Sequence, residues 1–125
     1  MRPSVEMKMR VGSVALALAI ALVTSAALGH HAYDANYTRE RGSIEGVVVD
    51  VFWANPHVQY YLEVTGDDGT TSLWIVESDN LNVMARDGWT IDTLQVGDRV
   101  RVSGRLGREG RPRLALERES LERLE

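Results

Sequence analysis

Three histidines are the only imidazoles in this 125-residue chain, and their placement is uneven. His30 and His31 are adjacent in the stretch ALGHHAYD, and His57 closes the stretch WANPH from Trp53 to His57. Neutral imidazole is a preferred ligand for copper, zinc and nickel, and three such groups suffice for a site if they converge. The chain has no cysteine, so thiolate metal sites, cysteine nucleophiles, disulfides and a lipid-modified cysteine are all excluded. A transition metal, copper first, is therefore the expected ligand of His30, His31 and His57, with Tyr33 and Asn55 as supporting groups behind them. The competing reading makes His30 and His31 a polar tail and His57 a structural histidine whose ring nitrogens bond the turn.

What precedes the paired histidines decides their chemistry. Residues 1–29 begin with Arg2, Lys8 and Arg10, continue through the apolar run VALALAIALV, and end in the small residues TSAALG. This is the pattern of a secretory signal peptide, and export to the periplasm is expected. An uncleaved leader acting as a membrane anchor is the alternative, since Val11 to Leu28 approaches the length of a spanning helix. Cleavage after Gly29 makes His30 the new N-terminus, whose amine and imidazole together chelate one copper ion as a histidine brace. Cleavage after Ala27 leaves Leu28-Gly29-His30, a square-planar site for copper(II) or nickel(II) built from amine, amides and imidazole. Both registers have small residues at the cut.

The elements that must position His57 are mainly strands. SIEGVVVDVFW, from Ser43 to Trp53, is β-branched and stops at Asn55-Pro56; Gly46 within it suggests a bulge or bend. HVQYYLEV alternates Val58, Tyr60, Leu62 and Val64 against Gln59, Tyr61 and Glu63, a half-buried strand. Asp68-Gly69 turns the chain into a third strand, Thr71 to Ser78. Asp79 is then expected to cap a short helix through Met84 that Gly88 stops. A Gly97-Asp98 turn leads into a fourth strand ending near Leu106, and Arg113 to Leu121 supplies a fifth that frays into a helical tail.

That order, β-β-β-α-β-β, predicts an all-β fold with one short helix: a five-stranded barrel of the oligonucleotide/oligosaccharide-binding (OB) type. The expected organisation is a signal peptide over 1–29, an extended segment over 30–42, the barrel over 43–121 and a tail over 122–125. An OB-like barrel suggests a second function, a non-catalytic module that binds a ligand or protein through Tyr61, Trp74, Trp53 and Trp89. Core packing is the stronger expectation for Trp53 and Trp89. The formal net charge is −4, and loss of Arg2, Lys8 and Arg10 with the leader makes the remainder more acidic. Nucleic acid is accordingly not an expected partner. The arginine-rich last quarter leaves room for another periplasmic protein as a partner. No nucleophile elbow, phosphate loop or His-Glu-x-x-His helix is present, so enzymatic activity is the least supported reading.

The segments HHAYDANY, FWANPHVQYYLEV, LWIVES and ARDGWTIDTLQVGDRVRVSG are similar, in order and spacing, to a family of small exported bacterial proteins of unknown function. Its members carry His-His after the signal, Trp-x-Asn-Pro-His, a later Gly-Trp and a Leu-x-x-Gly-Asp-x-Val segment. These map onto His30, His31, Trp53, Asn55, Pro56, His57, Gly88, Trp89, Gly97 and Asp98. Ala32-Tyr33 stands where Ser-Phe is usual. The resemblance implies an exported barrel and names no reaction.

Overall fold

Alternation of buried and exposed residues from Ile44 onward lets the strands of this chain form a single curled sheet. The computed structural model describes residues 33–125, so the leader, His30 and His31 lie outside the described residues. The chain divides into two compact units, Met1–Ala35 and Asn36–Glu125, and the second holds every strand among the described residues. The strands are β1 (Tyr37–Phe52), β2 (Gln59–Thr65), β3 (Thr71–Glu77), β4 (Arg99–Gly107), β5 (Arg113–Leu116) and a short β6 (Glu122–Arg123). One helix, α1 (Leu81–Arg86), lies between β3 and β4.

The sheet closes on itself. Its order is β1-β2-β3-β5-β4-β6, and β1 also pairs with β4. All pairings are antiparallel except β3 with β5, which is parallel through Ile75 opposite Arg113, Val76 opposite Leu114 and Glu77 opposite Ala115. A ring of five strands with one parallel junction and a helix before β4 is the OB-type barrel that the element order predicts.

β1 is long because it serves two neighbours. Its first part runs against β4, its last part against β2, and Val47 faces Glu63 on one side and Arg99 on the other. The expected bulge falls at Val49, where the register slips between Val48 and Asp50, rather than at Gly46. Gly46 instead meets a close approach: a Cβ there would lie 2.7 Å from the Glu63 carbonyl oxygen.

Alternate residues fill the barrel. Val58, Tyr60 and Leu62 are fully buried, as are Val100 and Leu114, and Val48, Val76 and Val102 nearly so. Each such aliphatic side chain contributes roughly 1.5–3 kcal/mol on burial. α1 plugs one end with Met84, and its termini depart from expectation at the N-cap. Asn80, not Asp79, caps it by accepting from the Val83 N–H at 3.0 Å. Asp79 is taken by Arg118, which also holds Asp87 beyond the helix C-terminus. Gly88 stops the helix as expected, with φ at 81°, while its N–H bonds the Ala85 carbonyl and the Trp89 N–H bonds that of Met84.

The C-terminal segment is not a frayed helix. After a turn at Arg118–Ser120 it returns as β6 against Val100 and Arg101 of β4. Arg123 fastens it to Asp98 at 2.8 Å, and the Gln95 N–H followed by Arg123 holds the Asp98 carboxyl below its ordinary value.

Two buried polar atoms are poorly served, Arg113 Nε at the β3–β5 seam and the Tyr60 hydroxyl within the core. The Tyr60 hydroxyl is buried with no hydrogen-bond partner among the described residues, and burial pushes its pKa up to about 12. A buried hydroxyl left unpaired costs about 1 kcal/mol or more. Tyr60→Phe is therefore expected to raise unfolding stability by about 1 kcal/mol. Between pH 10 and about 12 the folded state retains a proton that the unfolded state has lost, so wild-type stability falls with rising pH there. Urea unfolding of both forms at pH 8 and pH 11 checks this, the variant showing the shallower loss.

Candidate functional site: the His57 and Glu77 junction

Strand register delivers an acid to the outer face where His57 stands. Val58 points into the barrel, so His57, Gln59 and Tyr61 share the opposite face, and Gln59 pairs with Glu77 at the end of β3. The His57 Nδ1 lies 2.7 Å from Glu77 Oε1. A carboxylate accepts only, so Nδ1–H is the donor. The second oxygen, Oε2, accepts from the Tyr37 hydroxyl at 2.5 Å and from Arg113 Nη2 at 3.0 Å.

Glu77 is 7% exposed, buried for a carboxylate, and the three donors are what make that burial tolerable. The Arg113 guanidinium supplies the counter-charge and also lies 5.8 Å from the centre of the Tyr37 ring. Burial, and then the adjoining Glu77 carboxylate, push the Tyr37 phenol well above its ordinary value, so it remains a donor. The start of β1 is tied down independently, with Arg105 Nε donating to the Thr38 carbonyl at 2.6 Å.

The loop that carries His57 is braced by α1. The Asn55–Pro56 peptide is cis, and Asn55 Oδ1 accepts from the Leu81 N–H at 2.9 Å. Asn55 thus joins Asn80 in satisfying the first turn of α1, one residue from Pro56 and two from His57. The side chain of His57 is 43% exposed, and its Nε2 has no hydrogen-bond partner among the described residues.

Of the predicted metal ligands, only His57 is among the described residues; His30 and His31 are not. Among the described residues no group of three histidine, cysteine, aspartate or glutamate side chains gathers in a way that could hold a metal by itself. Asn55 acts on the helix and not on the imidazole. Tyr33 falls in the first compact unit. The aromatics proposed for the alternative function divide. Tyr61 is on the outer face, with its hydroxyl bonded to Gln59, whereas Trp53, Trp74 and Trp89 pack against the core. Trp89 sits 6.2 Å from Tyr60, ring centre to ring centre.

Sequence reasoning missed Glu77, Tyr37 and Arg113. Glu77 reads in the sequence as one more outward acid on an alternating strand, and only the β2–β3 register shows that it faces His57.

The ring of strands and the braced histidine define an OB-type barrel in which the His57 imidazole is part-exposed and held from behind by Glu77. The chain belongs to a family of unknown function, DUF6152, whose model matches residues 17–115. No curated protein matches it by sequence. Among solved structures it is similar to the mitochondrial single-stranded DNA-binding protein Rim1 from S. cerevisiae. That match has a TM-score of 0.51 at 15% identity, covering 69% of this chain and 94% of the other. The dimeric N-terminal domain of PriB from Thermoanaerobacter tencongensis matches with a TM-score of 0.49 at 13% identity, covering 70% and 99%. At such identities the Rim1 likeness carries the barrel fold alone.

Replacing Glu77 by Ala leaves the Arg113 guanidinium without its carboxylate and the Tyr37 hydroxyl without its acceptor. Destabilisation of about 3 kcal/mol is expected, read as a lower urea midpoint at unchanged slope.

Proposed function

We propose that the protein is exported and binds a divalent transition metal, copper(II) first, with His57 as a ligand through Nε2 and His30 and His31 as the others. The observation that carries this reading is the engagement of His57 Nδ1 by a buried carboxylate that also accepts from Tyr37 and Arg113, while Nε2 has no partner among the described residues. Metal-ligating histidines are commonly held in this way: a carboxylate behind the ring fixes the tautomer and raises the basicity of the ligand nitrogen. The ligand set is borderline rather than soft. With no cysteine in the chain, and Met84 fully buried beneath the Ser78 hydroxyl, copper(II) is favoured over copper(I).

A second reading, an OB-like module for a ligand or protein, draws on the outer face of β1 to β3. There Val47, Phe52 and Leu73 are 38%, 47% and 52% exposed on the same face as Tyr61. The acidic net charge disfavours nucleic acid on that face.

Intact-mass measurement of the exported chain with and without copper(II) chloride tests the first reading. One copper per chain is expected, and the same spectrum fixes the first residue. His57→Ala is expected to weaken copper binding at least tenfold, and a wild-type chain that takes up no copper sinks the reading. Fluorescence that responds to added glycan or peptide but not to copper favours the second.

A further inference from the structure

Glu77 joins three parts of the chain that are far apart in sequence. Its Oε1 serves His57, and its Oε2 serves Tyr37 at the start of β1 and Arg113 at the start of β5. Three donors from three directions leave the carboxylate one plane in which all are satisfied. That plane dictates two properties of His57: which nitrogen carries the proton, and where the other points. In neutral imidazole with Nδ1–H committed to Glu77, Nε2 holds a bare lone pair. A bare nitrogen is an electron-pair donor, suited to a metal cation and unsuited to an anion.

We infer that Tyr37 and Arg113 are positioning residues that act through Glu77 to set the tautomer and direction of His57, and that seating of Tyr37 is linked to ligand binding at Nε2. Tyr37 is fully buried, so its hydroxyl keeps this geometry only while the first residue of β1 is in place. Linkage is reciprocal: a cation that prefers the fixed imidazole strengthens the seating of Tyr37 by the same factor. The start of β1, the first strand after the paired histidines, thereby becomes a regulator of the His57 site. The identity of the ligand rests on the metal reading above, but the tautomer does not.

The test uses the full mature chain, free of metal, as wild type, Tyr37→Phe and Arg113→Lys. Nitrogen-15 spectra of the His57 ring report the protonated nitrogen, and titration with copper(II) chloride reports affinity. Wild type is expected to show Nδ1–H. Tyr37→Phe, with unchanged circular dichroism and cooperative unfolding, is expected to show mixed tautomers and about tenfold weaker copper binding. Arg113→Lys keeps the charge but loses the planar fork, and is expected to fall between the two. The inference is overturned if wild type carries its proton on Nε2, or if both variants keep the wild-type tautomer. Loss of the Nδ1–H form in Tyr37→Phe upholds it. If no chain then binds copper, the metal reading fails while the positioning role stands.

Discussion

A buried carboxylate is tolerable only when its charge and lone pairs are answered, and much of this barrel is arranged around answering those of Glu77. The acid lies at the end of β3, where that strand pairs antiparallel with β2 and parallel with β5. Arg113 reaches it from β5, Tyr37 from β1 and His57 from the loop before β2. Closure of the barrel is what brings these four residues together, because β5 joins β3 at the parallel seam while β1, which is not paired with β3, is brought round by the ring. The parallel β3–β5 junction is thus both the seam of the fold and the foundation of the candidate site.

The loop that bears His57 has its own supports, and they explain the Trp-x-Asn-Pro-His pattern physically. Asn55 bonds the first turn of α1, Trp53 packs against the core, and Val58 enters the barrel immediately after His57. His57 is left between two anchored neighbours with its ring outward. Arg118 ties Asp79 and Asp87 at either end of α1, so the C-terminal turn also bears on the helix that braces this loop.

The alternating strands β2 and β4 were readable because one face of each is buried: Val58, Tyr60 and Leu62, then Val100 and Val102, mark the inward side. Gly88 as a helix stop followed from its tolerance of positive φ. Errors arose where tertiary partners overrode local signals. Asp79 is a good cap by type, but Arg118 claims it and Asn80 caps instead. The start of β1 was placed six residues late, because Thr38 to Arg41 are polar and form a strand only by pairing with β4. The last residues looked like a loose tail until β4 proved to have a free edge for Glu122 and Arg123.

The order and period of the sequence elements determined that the described chain is a β-rich barrel with a short helix before its fourth strand, and the absence of cysteine determined that any transition-metal site here uses imidazole and oxygen donors in place of thiolates. Those properties depend on residue type and period, which are written in the sequence. Tertiary structure alone decided that His57 has a carboxylate behind it, and that this carboxylate is shared with Tyr37 and Arg113. Residues 37, 57, 77 and 113 are separated by twenty or more positions along the chain, and only sheet register and ring closure make them neighbours.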